Sequence, residues 1–127
     1  MSYIMLPQMA ALTGWSLEKC RHFAEQQAGA PRARLHRGAL HLCWSVQPLC
    51  DKLAARGVDG ILPGGWCTRK LVCRLLTDAL GTTGYARIMR GKLLRQERGK
   101  SPAGTPCSLF SLEDLLAVHR NADTFNQ

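Results

Sequence analysis

The fold is decided by residues 34–45, which read Arg34-Leu35-His36-Arg37-Gly38-Ala39-Leu40-His41-Leu42-Cys43-Trp44-Ser45. Polar and apolar side chains alternate on both sides of Gly38, a pattern typical of two β-strands joined by a tight turn. Ser45 is the predicted N-cap of a helix that covers residues 46–56 and ends at Gly57. This helix is expected to bury an apolar stripe made of Val46, Leu49, Cys50 and Leu53.

Two further helices are predicted ahead of this hairpin. The first covers residues 6–12 and ends at Gly14, and the second covers residues 17–27 with Ser16 as its N-cap. Its buried side is expected to carry Leu17, Cys20 and Phe23 or Ala24. The first half of the chain therefore has the predicted order helix, turn, helix, hairpin, helix.

The second half resembles the first half weakly in sequence. Leu12 aligns with Leu80 and Trp44 aligns with Phe110, at offsets of 68 and 66 residues. In this half, amphipathic spacing predicts a helix over 68–80 that ends at Gly81, and a second helix is predicted over 84–94 with Thr82 or Thr83 as its cap. A basic hairpin with a long mobile tip follows, then a helix over 112–120 capped by Ser111, then a frayed tail.

We therefore predict an α+β fold, mainly α with short β-hairpins, made of two units over residues 1–60 and 61–127. The glycine-rich stretch 58–65 is the predicted linker. Units of this size are marginal alone, so the two are expected to share a core. Three tryptophans lie at the edges of apolar segments and are expected to be anchors of this core, namely Trp15, Trp44 and Trp66.

The charge of the chain favours a polyanionic partner. Seventeen Lys and Arg residues stand against nine Asp and Glu residues, for a net charge of +8 and a pI near 9.6. Nucleic acid is the first candidate, because lysine and arginine side chains neutralise its phosphates and release counterions. No apolar stretch is long enough to span a membrane and no signal peptide is recognisable, so we expect a cytoplasmic protein without membrane contact.

Enzymatic and metal chemistry is not expected. The six cysteines include no CxxC pair and lie in apolar surroundings, which favours reduced core residues over disulfides or a zinc site. The sequence lacks a phosphate-binding glycine loop, a nucleophile elbow and an HExxH motif. We therefore expect no catalytic residues, no metal and no cofactor.

Residues 10–16 and 34–38, together with Cys43-Trp44-Ser45-Val46, resemble the MerR-like and excisionase-like winged helix-turn-helix family. The resemblance covers most of residues 5–57 and, more loosely, residues 68–120. It implies tandem units in which the second helix of each enters the DNA major groove. The hairpin, or wing, would then contact the flanking backbone or the minor groove. The long first helix and the proline-rich wing of the second unit depart from the pattern.

The resemblance and the positions of the cations give a set of candidate DNA-binding residues. In the first unit they are Ser16, Lys19, Arg21 and His22 on the second helix and Arg32, Arg34 and Arg37 on the wing. In the second unit they are Thr83, Tyr85, Arg87, Arg90 and Lys92 on the helix and Arg95, Arg98 and Lys100 on the wing. The candidate helix of the second unit is more cationic than that of the first unit, so we expect the second unit's helix to bind DNA more strongly.

The function expected from the sequence is sequence-preferring binding of double-stranded DNA. The chain would be a transcriptional regulator, or an excision or architectural factor, of a mobile element or phage. A second copy of the chain, or a recombination or transcription protein, is a possible partner. The alternatives are a protein-interaction adaptor and an inhibitor of a nucleic-acid enzyme, each on a winged-helix scaffold.

Overall fold

The first half of the chain folds around a three-stranded antiparallel sheet. The computed structural model describes residues 2–101 and 103–122. The elements of the first half are β1 (Tyr3–Met5), α1 (Leu6–Thr13), α2 (Leu17–Ala28), β2 (Arg32–His36), β3 (Ala39–Ser45) and α3 (Val46–Ala55). The strand order is β1-β3-β2, so β3 is central and its register pairs Ser45 with Tyr3 and Leu40 with Leu35.

The second half contains a four-stranded antiparallel sheet. Its elements are β4 (Ile61–Leu62), β5 (Trp66–Thr68), α4 (Arg69–Arg90), β6 (Gln96–Lys100), β7 (Pro106–Ser111) and α5 (Leu112–Arg120). The strand order is β4-β5-β7-β6, and Ser111 of β7 pairs with Trp66 of β5. The predicted α+β fold, with helices and short antiparallel hairpins, is confirmed.

Both halves contain two helical segments, then a hairpin, then a closing helix; one strand, β1, precedes these elements in the first half and two, β4 and β5, precede them in the second. The first helical segment ends in each case at a left-handed glycine, Gly14 with φ of 77° and Gly81 with φ of 76°. Gly81 lies inside α4 and kinks it, which leaves helical segments over 69–80 and 82–90. Glycine suits both turns because a Cβ disfavours this backbone conformation.

One hydrophobic core runs through both halves. Its largest fully buried side chains are Ile4, Met9, Leu12, Leu49 and Leu53 from the first half and Leu75, Leu76, Ile88, Phe110, Leu112, Leu115 and Leu116 from the second. Hydrogen bonds also cross between the halves. The Gln8 amide donates to the Leu116 carbonyl at 2.9 Å, and the Arg120 guanidinium donates to the Tyr3 carbonyl at 2.6 Å.

The sequence prediction was wrong at two places in the backbone and right about the position of one helix cap. The predicted linker contains β4 and leads directly into β5, so residues 61–68 form a hairpin of the second sheet. The predicted helix over 84–94 starts instead at residue 82 and ends at Arg90, because the chain returns to helix after a single left-handed residue, Gly81. Ser45 occupies the N-cap of α3 without a side-chain hydrogen bond. Pro48, three residues on, has no N–H to donate.

Some predicted core positions are also exposed. Leu17, the first residue of α2, is 53% exposed, whereas Cys20, Phe23 and Ala24 are buried. Trp44 is buried, while Trp15 and Trp66 are only half-buried. The predicted frayed tail over 121–127 lies outside the described residues from 123 onward.

Across residues 2–101 and 103–122, no helix is both long enough and apolar enough to cross a bilayer.

Candidate nucleic-acid interface

The exposed side of α4 after the kink carries a concentrated positive charge. Thr83, Arg87 and Arg90 are exposed and lie at helical spacing on one side of segment 82–90, while Gly84 and Ile88 are buried on the other. Lys92 follows in the exposed turn with φ of 52°. We call these four residues, Thr83, Arg87, Arg90 and Lys92, the α4 basic face.

The α4 basic face has no acidic side chain near it in the sequence. No Asp or Glu occurs between Asp78 and Glu97. Segment 82–90 therefore contains no acidic residue at helical spacing from its arginines, unlike surface helices in which charges of opposite sign alternate. Tyr85, predicted to belong to the same face, is half-buried against the core instead.

The corresponding helix of the first half, α2, has its charges balanced. Ser16 accepts a hydrogen bond from the Lys19 amide at 3.2 Å and is thus used as the N-cap. The Lys19 ammonium lies 4.4 Å from the centre of the Trp15 ring. Arg21 forms an ion pair with Glu25 at 2.6 Å. Ser16, Lys19 and Arg21 are thus engaged in contacts within the protein. The acidic residues Glu18 and Glu25 offset the positive charge of α2.

The three arginines of the hairpin β2–β3 differ in their contacts and positions. The Arg34 guanidinium lies 4.4 Å from the centre of the Tyr3 ring, while Arg32 is exposed. Arg37 and Gly38 form the two-residue turn with φ of 54° and 79°, as a type I′ hairpin turn requires. Arg37 therefore sits at the exposed tip of the hairpin.

The hairpin β6–β7 has one arginine fixed at its base and two cations along its outer strand. The backbone N–H of Arg95 donates to Asp114 at 2.8 Å, and its guanidinium contacts Asp114 at 3.2 Å and Ser111 at 3.1 Å. Arg98 and Lys100 are exposed on β6, opposite Ser108 and Pro106 of β7. Arg95 thus fixes the hairpin to α5, and the other two cations extend toward the tip.

Sequence reasoning missed the pair of residues that supports the first hairpin. The ring of Tyr3 contacts two guanidinium groups, that of Arg34 and that of Arg120, and the Arg120 group lies 4.1 Å from the ring centre. Burial lowers the pKa of Arg120. Tyr3 and Arg120 are 117 positions apart in the chain, so no local sequence pattern signals this contact.

Burial keeps the thiols of Cys50 and Cys67 protonated at neutral pH. All six cysteines, each among the described residues, are free thiols, and Cys20, Cys43, Cys50 and Cys67 are buried. Burial raises the pKa of both Cys50 and Cys67 to about 12. Within residues 2–101 and 103–122, no group of three or more metal-ligating side chains is brought together.

Comparison of the chain with known protein families, with curated proteins and with solved structures finds no match.

Proposed function

We propose that this protein binds double-stranded DNA through the α4 basic face, with segment 82–90 lying in the major groove. The observation that carries this proposal is the placement of Thr83, Arg87 and Arg90 on one exposed side of segment 82–90, in a stretch of sequence that contains no Asp or Glu. Arginine and threonine side chains read base edges in the major groove, and cations beside them hold phosphates. Lys92 is placed for the second of these roles.

The two hairpins act as wings in this proposal. Arg98 and Lys100 of β6 contact the backbone beside the major-groove site, while Arg32 and Arg37 of β2–β3 contact a neighbouring part of the duplex. Such contacts fix position and orientation and add little sequence preference. Because the two halves share one core, the hairpins and the α4 basic face belong to one folded body.

The role proposed for the protein is regulatory or architectural. It acts in the cytoplasm as a transcriptional regulator, or as an excision factor, of a mobile element or phage, and breaks no covalent bond. The support is the combination of a small basic chain with two helix-and-hairpin halves, which is the arrangement of winged-helix proteins. A second copy, or a recombination or transcription protein, would bind the same DNA beside it.

The test is the fluorescence anisotropy of a labelled mixed-sequence duplex of about 25 base pairs, titrated with the full chain over a salt series. We expect affinity to fall steeply with salt. Replacing Arg87→Ala and Arg90→Ala together is expected to weaken binding by about 30-fold and to lower the salt slope by about two.

The matched control is Lys52→Ala with Lys70→Ala, which removes the same charge from exposed positions outside the proposed interface. This variant is expected to bind within about threefold of the original chain. Equal losses in the two variants would show a non-specific effect of net charge. No binding at low salt would refute the proposed function.

A further inference from the structure

A cavity of about 300 Å³ is lined by all three strands of the first sheet, by the end of α2 and by the start of α3. Its polar lining consists of Arg32, Arg34, Tyr3 and Ser45, together with Ser2. We call it the β2 cavity. Small-ligand sites have volumes of about 300–1,000 Å³, so this cavity is large enough for a small ion or molecule.

Two arginines reach the β2 cavity from the same strand. Arg32 and Arg34 are two positions apart on β2, so their side chains lie on the same face of the sheet. Their cross-strand partners on β3 are Cys43 and His41. Arg32 is exposed and Arg34 is half-buried. Two guanidinium groups therefore line one cavity at different depths.

The contact of Arg34 with Tyr3 leaves its N–H groups able to bind a ligand. The guanidinium lies over the Tyr3 ring, 4.4 Å from the ring centre. Such a contact uses the flat face of the guanidinium, whereas its five N–H groups lie in its plane. Among the described residues, neither Arg32 nor Arg34 forms a hydrogen bond or an ion pair through its side chain.

No acidic side chain among the described residues lines the β2 cavity. Glu113 lies close by, since it accepts a hydrogen bond from the Ser2 hydroxyl, but it lines a separate cavity that also contains Arg95. The charge of Glu113 acts on Arg120, whose pKa it raises against the larger effect of burial. The two arginines of the β2 cavity are therefore not paired with this carboxylate.

We propose that the β2 cavity binds a phosphate group through Arg32 and Arg34. A phosphate monoester carries a charge of about −1.5 to −2 at pH 7 and has three acceptor oxygens, which suits two guanidinium groups better than the single charge of a carboxylate. The Ser45 hydroxyl lines the cavity and makes no capping hydrogen bond, so it is a further donor. This inference does not depend on the proposed function, because the phosphate can belong to a free ligand or to a DNA backbone.

The experiment is an NMR titration of the isotope-labelled full chain, without DNA, with inorganic phosphate up to about 20 mM at constant ionic strength, so that general screening does not change. Acetate is the comparison ion. The test variants are Arg32→Gln and Arg34→Gln. The matched control is Arg69→Gln, an exposed arginine that lies over the Phe110 ring at 5.1 Å and does not line the cavity.

Phosphate is expected to cause saturable shift changes at residues 28–34 and 43–46, with a dissociation constant on the order of 1 mM. Acetate is expected to bind at least about fivefold more weakly. Each test variant is expected to weaken phosphate binding by about tenfold, and Arg69→Gln by less than about twofold. Arg32 is exposed and makes no hydrogen bond, so Arg32→Gln tests the site even where Arg34→Gln perturbs the sheet.

The absence of saturable changes would overturn the phosphate site, as would equal losses in the test variants and in Arg69→Gln. Acetate binding as tight as phosphate binding would overturn the assignment to phosphate.

The same titration in the presence of a saturating duplex identifies the source of the phosphate. A response to inorganic phosphate that disappears assigns the cavity to a DNA phosphate, and a response that persists assigns it to a free phosphate compound. Both results support the site. A chain that binds phosphate in the cavity but does not bind DNA would refute the proposed function and leave this inference standing.

Discussion

Arg74 of α4 donates a hydrogen bond to the carbonyl oxygen of Ala11 at the end of α1, at 2.9 Å, and a second one to Leu12 at 3.0 Å. The last carbonyls of a helix have no partner within the helix and need a donor from elsewhere. Here the donor is a planar guanidinium from the other half of the chain, which binds two carbonyls at once. The end of one helical segment is thus completed by the other half.

Replacing Arg74→Ala is therefore expected to lower the free energy of unfolding by about 1–2 kcal/mol, because two charge-assisted hydrogen bonds between the halves are lost. Urea unfolding followed by circular dichroism provides the measurement. Lys70→Ala, one turn earlier and exposed, is the control and should change stability by less than about 0.5 kcal/mol. Equal stabilities of the two variants would show that the bonds to Ala11 and Leu12 do not hold the halves together.

The turn after Gly81 leads to a second prediction. Gly84 is buried, and a Cβ there would lie 2.5 Å from the Cβ of Leu80, too close for any side chain. Gly84→Ala is expected to destabilise the protein by about 1–3 kcal/mol, since the kinked helix must open to admit the methyl group. Gly91→Ala, at a C-cap with φ of −74°, is the matched control and should cost much less. Thermal unfolding of both variants checks the difference, and similar losses would argue against the close packing of this turn.

His119 leads to a prediction about pH. Burial is the main cause that lowers its pKa from 6.5, and the nearby Arg120 adds to the effect. Its Nδ1 lies 3.1 Å from the Gln8 amide nitrogen, which acts as a donor because its oxygen accepts from the Met5 amide. The neutral ring is thus the form that the fold stabilises.

The unfolded chain binds a proton at His119 more readily than the folded chain does. Its contribution to stability is therefore complete above pH 6.5 and is lost as the pH falls through the lowered folded pKa. We expect the free energy of unfolding to fall as the pH is lowered below 6.5, and His119→Asn to reduce this fall. The exposed His22→Asn variant should retain it. An unchanged pH profile in His119→Asn would contradict the assignment.

The cysteines should differ in reactivity according to burial. Cys50 and Cys67, with pKa values raised to about 12, hold their protons at pH 8, and the thiolate is the reactive form. We expect iodoacetamide to modify the half-buried Cys73 and Cys107 first in the folded protein, and all six thiols in urea. Peptide mass spectrometry assigns the sites. Early alkylation of Cys50 or Cys67 would contradict their burial.

Much of the fold follows from local sequence signals. Alternation around Gly38 predicts β2–β3, and Ser16 and Ser111 are correctly predicted as N-caps that accept from the third residue of their helices. The short strands β1 and β5 were missed, because three residues carry no period and become strands only by pairing with β3 and β7. The helix after Gly81 starts at residue 82, two residues earlier than predicted. This difference depends on tertiary packing, which the local sequence Thr82-Thr83 does not reveal.

The candidate interface is predictable in part. The concentration of cations on α4 is visible in the sequence because no acidic residue interrupts it. The use of Lys19, Arg21, Arg34 and Arg95 in internal contacts is not visible, since Trp15, Glu25, Tyr3 and Asp114 reach them only in the folded chain. The exposure of Leu35 and Leu40 could not be predicted from the sequence either. An alternating strand pattern indicates on which face of the sheet a side chain lies, but it does not indicate how far the core extends along that face.

The most direct test of DNA binding by the α4 basic face is an NMR titration of the isotope-labelled full chain with a short mixed-sequence duplex at low salt. We predict that the largest amide shift changes fall on residues 83–92, with smaller changes at the tips of the two hairpins. No shift changes, or changes confined to α3 and α5, would contradict the account.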